Sequence, residues 1–245
     1  RNPCGGMSNW YPSEAIPGGT PGRANSVAGD HPDLEEPRLL FAGVEDSCTL
    51  LLHFSEPLRP TEAGHPRSYT VRGMGHPTAA YPLKPDFHQV KLVWKKPFRP
   101  YTRYQLEVKG SLTDCAGNML GYTDAIPFEL PCPAKPGDVV INELLFDPFP
   151  GGSQYVELYN RSSKTIDLAD LFLQSRGRDD ENPGVISPVS SRSRLIFPGD
   201  HIVCTGNPGQ VKAWYSVGFP DQIVALADPP GLHSSGGVVL LTGHD

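Results

Sequence analysis

Four side chains that carry oxygen donors, close together in the sequence, are the residues best suited to chemistry. They are Glu143, Asp147, Glu157 and Asn160. Carboxylate and carbonyl oxygens are the ligands that Ca²⁺ prefers, and a pair of carboxylates could also hydrolyse a glycosidic bond. In the structural alternative, Asn142, Glu143 and Asn160 satisfy backbone groups at strand ends and turns. Because the Asp-x-Asp-x-Asp-Gly spacing of a calcium loop is absent, the sequence favours the structural role over calcium, and calcium over catalysis.

Aromatic residues could form a second kind of site, a platform on which a sugar ring stacks. Aromatics at alternating strand positions are more often core residues or cross-strand pairs. Trp214 and Tyr215 instead lie in a loop-like region between predicted strands. They are therefore the candidates for an exposed surface that binds a glycan or a protein.

The segment 114–118, Asp-Cys-Ala-Gly-Asn, has the composition of a β-turn. An Asp side chain can accept a hydrogen bond from a backbone N–H two residues further on, and Gly or Asn tolerates positive φ. A calcium ligand is the alternative role for Asp114.

Motifs of the common enzyme classes are missing from the sequence. The eight histidines include no pair at i,i+4 and no His-Glu-x-x-His, which argues against zinc. No Gly-x-Ser-x-Gly elbow occurs, and the Gly-rich segments lack the Lys-Ser/Thr of a phosphate loop. The sequence therefore predicts that the chain is not an enzyme and needs no cofactor, with calcium as the one alternative.

The five cysteines are Cys4, Cys48, Cys115, Cys132 and Cys204, and no two of them form a Cys-x-x-Cys pair. Zinc binding and thioredoxin-like chemistry therefore have no support. The wide spacing is compatible with a disulfide in an oxidising compartment. Cys115 with Cys132 is the predicted pair, because both lie near the end of one strand-rich segment, and buried thiols are the alternative.

The composition is typical of a secreted β-protein. Of the 245 residues, 27 are proline and 26 are glycine, and their combined share is nearly twice the usual one of roughly 12%. They lie between short apolar runs, as turn residues lie between strands. The net charge of −6, without a basic cluster, argues against nucleic acid as a partner. No apolar run approaches the length of about 18 residues that a membrane-spanning helix needs.

Alternating apolar and polar residues predict antiparallel strands in two blocks. In the first block the predicted strands are 38–44, 48–55, 68–71, 89–95, 103–109 and 128–130. In the second they are 139–144, 155–159, 171–174, 195–197, 201–205, 223–225 and 238–242. Within 103–109 the pattern places Tyr104, Leu106 and Val108 on the inner face. The polar stretch 175–193 is long for a compact domain, which predicts a mobile or binding loop.

Each block resembles a known family. The phrases FSEPLRP, KPFRPYTRYQLEV and LTDCAGN, in that order, resemble the bacterial Ig-like domain of surface proteins. The segment GDVVINELLFDPFPGGSQYVELYNRSSKTIDLADLFL, with the later phrase FPGDHIVCTGNP, resembles the bacterial lamin-tail domain, a small immunoglobulin-like β-sandwich. Near the start, SNWYPSEAIPGGTPGRANSV resembles the closing segment of the same family. These resemblances imply scaffolds or interaction modules.

The predicted fold is all-β, with two tandem immunoglobulin-like β-sandwiches after an extended N-terminal segment. Residues 1–37 are that segment, read as the tail of a preceding lamin-tail-like module, and 38–131 are the Ig-like domain. Residues 132–137 are a semi-rigid proline-bearing linker, and 138–245 are the lamin-tail-like domain. Because members of that family continue for another strand or two, this last domain is expected to be C-terminally incomplete and the chain to be a fragment.

The predicted function is that of a non-catalytic structural or adhesive module in a large exported or cell-surface bacterial protein. Its partners are other domains of the same polypeptide, with a surface glycan or protein as a further partner. The alternative is a glycan- or protein-recognition module attached to a secreted hydrolase, which requires a contiguous exposed aromatic patch around Trp214. A separate hypothesis is that residues 1–28 add a strand to a lamin-tail-like module of the same or a neighbouring chain.

Overall fold

The structure is a computed structural model that describes residues 12–16, 18–27, 33–109, 111–121, 125–178, 184–216, 222–234 and 236–243. The described residues fold mainly into β-strands, which confirms the predicted all-β class. By its internal contacts the chain divides into two units. The first comprises the described residues of 1–42, 48–97 and 104–127, and the second those of 43–47, 98–103 and 128–245.

Residues 39–128 contain seven strands and one helical turn. They are β1 (Leu39–Asp46), β2 (Thr49–Phe54), α1 (Pro60–Ala63), β3 (Tyr69–Val71), β4 (Ala79–Pro82), β5 (Gln89–Val93), β6 (Tyr104–Val108) and β7 (Ile126–Phe128), with a 3-10 turn at Pro66–Ser68. They form a four-stranded sheet in the order β1-β2-β5-β4 and a three-stranded sheet in the order β3-β6-β7.

The apolar alternation of these strands supplies the core of the first unit. On β6, Tyr104 and Leu106 are buried, as the sequence predicts. Across the β2–β5 pair, Leu50 lies opposite Leu92 and Leu52 lies opposite Val90, and all four are fully buried. Side chains at every second position of a strand point to the same face, so each of these strands contributes one row of apolar residues to the core.

The second block contains nine strands and one helix. They are β8 (Val139–Leu145), β9 (Tyr155–Asn160), β10 (Ile166–Asp167), β11 (Leu171–Gly177), β12 (Ile186–Pro188), β13 (Leu195–Ile196), β14 (His201–Thr205), α2 (Pro208–Trp214), β15 (Ile223–Ala225) and β16 (Gly237–Gly243), with a 3-10 turn at Leu168–Asp170. Three sheets result, in the orders β15-β14-β9-β8, β12-β11-β16 and β10-β13. Their inner faces meet in one apolar cluster that includes Val156, Leu158, Leu173, Ile196 and Ile202.

The turn between β13 and β14 is determined by a local Pro-Gly-Asp sequence. Gly199 has φ of +83°, a conformation that costs a glycine little because it has no Cβ. The N–H of Asp200 donates to the carbonyl oxygen of Phe197 at 3.0 Å, and the Asp200 carboxylate accepts from the N–H of Phe197 at 3.1 Å. This reciprocal bonding closes the Pro-Gly turn and starts β14 in the antiparallel register that pairs it with β9.

Most predicted strands are present with small shifts at their ends. The strand predicted at 128–130 lies at Ile126–Phe128, and the strand predicted at 171–174 continues to Gly177. The short strands β4, β10 and β12 and both helices were not predicted. Part of the predicted loop 175–193 is strand, and residues 179–183 lie outside the described residues.

The predicted disulfide between Cys115 and Cys132 is wrong. Cys115 is disulfide-bonded, whereas Cys132 is reduced, as are Cys48 and Cys204. The prediction assumed that both residues lie in one strand-rich module. They belong to different units, because the boundary falls between Pro127 and Phe128. Cys4 lies outside the described residues.

Among the described residues, no helix is long and apolar enough to cross a membrane.

Candidate functional site

The β8–β9 pair carries two of the four predicted calcium ligands. Glu143 lies directly opposite Glu157, next to a register shift between Ile141 and Glu143. The Tyr155 hydroxyl donates to Glu143 Oε1 at 2.6 Å, and Asn142 Nδ2 donates to Glu157 Oε1 at 2.6 Å. Both carboxylates therefore already have donors from their own pair of strands.

The Tyr155 phenol responds to this environment. Burial comes first, and the hydrogen bond to Glu143 and the negative charges of Glu143 and Glu157 add to it. Together they raise the pKa of Tyr155 well above the ordinary value of a tyrosine. The phenol therefore stays protonated at neutral pH and remains the donor in this bond.

Asn160 has a different setting at the end of β9, where it is 0% exposed. Its Nδ2 donates to the carbonyl oxygens of Lys164 at 2.8 Å and Ile196 at 3.1 Å. Its Oδ1 accepts from the backbone N–H of Ser162 at 3.0 Å and from the Ser162 hydroxyl at 2.7 Å. A carboxamide has two donors and one oxygen with two lone pairs, so the fold uses the whole amide. This is the structural role that the sequence offered for Asn160.

Asp147, the fourth predicted ligand, lies in the loop after β8 and lines a cleft of about 530 Å³. Its carboxylate does not join those of Glu143 and Glu157 in a group with oxygens within 4.8 Å of one another. The structure thus brings Glu143 and Glu157 together, and it leaves Asp147 and Asn160 at separate places. The calcium hypothesis for this set stays a prediction.

The polar residues lining this cleft are largely bonded to the protein itself. Gln154 Nε2 donates to the carbonyl oxygens of Phe146 and Leu232 at 2.7 and 2.8 Å, and its Oε1 accepts from the N–H of Leu232 at 3.1 Å. The Thr205 hydroxyl donates to the carbonyl oxygen of Gln154 at 2.8 Å. Gln154 therefore holds the loop around Leu232 against the end of β8.

Trp214 is the last residue of helix α2, so the interpretation of this region as loop-like is corrected. Asn207 caps the helix, because its Oδ1 accepts from the N–H of Gln210 at 3.1 Å, and Pro208 occupies the first helical position. Pro at that position has the backbone angle of a helix, and its missing N–H would have had no helical partner. Only seven residues follow the cap before the helix ends.

Trp214 and Phe149 form an exposed aromatic patch at the edge of the second unit. Trp214 is 52% exposed and Phe149 is 62% exposed. Their rings are stacked, with centroids 6.0 Å apart and planes inclined by 29°. Tyr215, the other predicted candidate, packs edge-on against Tyr155 with centroids 6.0 Å apart. The aromatic patch is therefore Phe149 with Trp214, and sequence reasoning missed Phe149 because it lies in a Pro/Gly turn far from Trp214 in the chain.

A carboxylate cluster in the first unit was also missed. Oxygens of Asp33, Glu56 and Asp114 all lie within 4.8 Å of one another. Burial is the main cause that raises the pKa of Glu56 to about 7, and the charges of Asp33, Asp114 and Glu35 add to it. These residues come from three distant parts of the sequence, so no local spacing could reveal the cluster.

The predicted turn at 114–118 forms one side of this cluster. Asp114 is buried, and its Oδ1 accepts from the backbone N–H groups of Gly117 and Asn118 at 2.6 and 2.8 Å. Asn118 Nδ2 donates to Asp114 Oδ2 at 2.7 Å and to the carbonyl oxygen of Asp33 at 3.0 Å. The oxygens of Asp114 are thus occupied by the turn, and we assign no metal to the cluster.

One comparison with known proteins concerns the second unit. The family model described as Lamin Tail Domain matches residues 133–239, which supports the resemblance given for the second block. The resemblance of the preceding block to a bacterial Ig-like domain is not confirmed. A comparison with curated proteins gives no match.

Solved structures give only distant similarity. The N-terminal part of the bacterial S-layer protein SbsC is 14% identical, with a TM-score of 0.36, and the alignment covers 84% of this chain and 44% of that one. An L,D-transpeptidase from Mycobacterium smegmatis is 10% identical, with a TM-score of 0.23, and the alignment covers 73% and 79% of the two chains. The chain spans less than half the length of the S-layer structure, and likeness at these TM-scores does not establish a shared function.

Proposed function

We propose that this chain is a non-catalytic structural module of an exported, cell-surface bacterial protein. Residues 138–245 act as a lamin-tail-like domain and 38–131 as a bacterial Ig-like domain, and together they serve as spacers whose loops offer contact surface to other domains. The match of residues 133–239 to the lamin tail domain supports the assignment of the second block.

The observation that carries the proposal is that buried and half-buried polar side chains bond to backbone groups of the protein itself. Asn160 and Gln154 each use their amides to hold backbone groups of other loops. Asp167 does the same, because its carboxylate accepts from the N–H groups of Ala169 and Arg194 at 3.0 and 2.9 Å and from the Ser193 hydroxyl. Polar groups used in this way fix loops in place and are not available to bind or convert a substrate.

The segment before β8, residues 132–138, is also held by bonds to other parts of the second unit. The N–H of Cys132 donates to the carbonyl oxygen of Thr165 at 2.8 Å, and Lys164 Nζ donates to the carbonyl oxygen of Pro133 at 3.2 Å. Lys164 also forms an ion pair with Asp138. Burial opposes ionisation of Asp138, but hydrogen bonds from Lys164 and from the N–H of Lys135 outweigh it and lower the pKa of Asp138. A proline-bearing segment held at several points is suited to a spacer that keeps its shape.

Export is supported by the disulfide at Cys115. Disulfides persist in oxidising compartments and are rare where thioredoxin and glutathione keep thiols reduced. A cell-surface position also agrees with the acidic, proline-rich composition.

Protease treatment of intact bacteria that produce the native protein tests the proposal. If the protein is on the surface, an antibody against this chain should detect its loss from intact cells, while a cytoplasmic marker protein survives. Survival of the chain in intact cells, with digestion only after lysis, would contradict a surface position.

A recognition module is the second candidate function, and the aromatic patch favours it. Phe149 and Trp214 are each more than half exposed and stack on one another, and sugar rings or aromatic side chains bind to exposed aromatic rings. Binding on a glycan array that is lost in Trp214→Ala and in Phe149→Ala would support recognition. The matched control is Tyr81→Ala, which removes an aromatic ring that is 53% exposed on β4 of the first unit. Equal loss in the control, or no binding at all, would count against this candidate.

A further inference from the structure

A cleft of about 470 Å³ lies on the outer face of the sheet β15-β14-β9-β8, beside the end of helix α2. Side chains at every second position of a strand point to the same face. Tyr155 and Glu157 of β9 and Val203 of β14 therefore face outward, while their neighbours enter the apolar core. Val211 of α2 and Tyr215, which follows the helix, contribute further lining. The described residues that line the cleft all belong to the second unit.

Two glutamates at this face carry negative charge that no described cation offsets. Glu157 lines the cleft, and Glu143 lies directly opposite it on β8. Each accepts one hydrogen bond at Oε1, from an uncharged side chain. Neither forms an ion pair with a described lysine, arginine or histidine, and the described lining of the cleft includes no lysine or arginine. Like charges directly opposite each other destabilise a strand pair, so the fold retains an arrangement that a bound cation would relieve.

The lining also contains Asp200 and His201, and both have partners within the protein. The Asp200 carboxylate accepts from the N–H of Phe197 in the turn before β14. The His201 ring stacks on that of Tyr159, with centroids 4.5 Å apart. Glu157 differs from Asp200, because its Oε2 accepts no hydrogen bond from the described part of the chain. This oxygen is the acceptor that the cleft offers to a ligand.

We propose that this cleft binds an arginine side chain of a partner protein. A guanidinium carries a permanent positive charge and five N–H donors, so it can donate to the unused oxygens of both Glu157 and Glu143. The rings of Tyr155 and Tyr215 lie edge to face with centroids 6.0 Å apart, and both rings line the cleft. A guanidinium stacks on the faces of such rings while it pairs with a carboxylate.

An arginine suits this lining better than a lysine does. The ammonium of a lysine is a compact point charge that neither stacks as a plane nor spans two acceptors in a fixed fork. The cleft combines two flat rings with carboxylates on adjacent strands, which matches the planar group. This site involves neither ring of the aromatic patch. It goes beyond the proposed spacer role and does not depend on it.

Titration of the full chain with a capped Gly-Arg-Gly peptide, followed by nuclear magnetic resonance, tests the proposal. We expect saturable shifts of the backbone amide signals of Glu157, Val203 and Tyr215. Glu157→Gln should raise the dissociation constant at least about tenfold, because it removes the charge that strengthens the hydrogen bond to the guanidinium. The matched control is Asp170→Asn, which changes an exposed acid in the 3-10 turn of the same unit. The control should bind the peptide as the unmodified chain does.

Two further peptides make the test specific for arginine. A capped Gly-Lys-Gly peptide should bind more weakly, and a capped Gly-Gln-Gly peptide should cause no saturable shift. Glutamine has nearly the shape of glutamate and relieves the repulsion at this pair, so Glu157→Gln should fold. Glu143→Gln should also weaken binding, and it repeats the test if Glu157→Gln unfolds.

Several results would overturn the proposal. They are the absence of saturable shifts at millimolar arginine peptide, equal binding of the lysine peptide, binding that both glutamate variants leave unchanged, and equal weakening in Asp170→Asn. Calcium or an oligosaccharide that saturates the signals of Glu157, Val203 and Tyr215, where the arginine peptide does not, would assign the cleft to another ligand.

Discussion

The hydroxyl of Tyr155 donates a hydrogen bond of 2.6 Å to Glu143 across the β8–β9 pair, at the point where Glu143 and Glu157 lie opposite each other. Two carboxylates in this position repel each other. The phenol supplies one of them with a donor, and Asn142 supplies the other. Each carboxylate therefore accepts a hydrogen bond from an uncharged side chain. These bonds explain how the edge strand β8 can carry a glutamate opposite another glutamate on β9.

Tyr155→Phe should destabilise the second unit, because it removes this donor and leaves the two carboxylates less well satisfied. A hydrogen bond to a charged group contributes roughly 1.5–3 kcal/mol. Because this pair is partly exposed, solvent screening reduces the expected loss below that range, to about 1 kcal/mol. Chemical denaturation measures the loss. Tyr81→Phe, which changes an exposed tyrosine of the first unit, is the control. An equal effect in both variants would contradict the assigned role of the Tyr155 hydroxyl.

Asn160→Ala should cost far more than a change at a neighbouring exposed asparagine. It removes an amide with four hydrogen bonds inside the fold and leaves the carbonyl oxygens of Lys164 and Ile196 without this donor. The expected loss is about 3 kcal/mol in the free energy of unfolding. Asn142→Ala, which removes one bond at an exposed position, should cost less than about 1 kcal/mol. Similar denaturation midpoints for the two variants would show that the hydrogen bonds of Asn160 do not stabilise the fold as argued.

The strands of this fold could be predicted from the sequence, because alternation is a local signal. On β6, Tyr104, Leu106 and Val108 alternate with polar residues, and a half-buried strand is the only regular element that satisfies this pattern. Helix α2 gave no comparable signal, since it has seven residues and one buried side chain, Val211. Its cap, Asn207 followed by Pro208, was the signal that could have been used.

The candidate sites were harder to predict, because they depend on contacts between distant parts of the chain. Trp214 was identified from its position in the sequence. Its partner Phe149 lies in a turn before β9, whereas Trp214 follows β14, so the two residues are far apart in the chain. The carboxylates of Asp33, Glu56 and Asp114 meet only after the first unit has folded. Residue type and spacing report on local structure, so they identified Asp114 as a turn residue and gave no indication of its two acidic neighbours.

Glu56→Gln should make the first unit more stable at and above pH 7. The pKa of Glu56 is raised from 4.5 to about 7 by burial and by its acidic neighbours, so the folded state holds a proton that the unfolded state has lost. The protonated carboxyl contributes its full stability below about pH 4.5, and this contribution is lost as the pH rises through 7. The amide cannot ionise, so the variant should be more stable than the unmodified chain at pH 8 and differ little at pH 4. Because Glu56 is only partly buried, solvent screening reduces the expected gain at pH 8 to roughly 1–2 kcal/mol.

Thermal unfolding between pH 4 and 8 measures this difference. The matched control is Glu107→Gln, at an exposed position on β6 of the same unit, which should leave the pH dependence unchanged. A stability profile for Glu56→Gln that runs parallel to that of the unmodified chain would mean that Glu56 ionises as an ordinary glutamate.

Cys115→Ser should destabilise the first unit, whereas Cys132→Ser should not. Cys115 is disulfide-bonded, and loss of a native disulfide typically costs 2–4 kcal/mol because the unfolded chain gains freedom. Cys132 is reduced, so its replacement removes only a half-buried thiol. Counting thiols in the denatured, unreduced chain checks the premise: Cys48, Cys132 and Cys204 should react, and Cys115→Ser should add one more by releasing the bonded partner. If all five cysteines of the unmodified chain reacted, there would be no disulfide, and the argument for an oxidising compartment would lose its support.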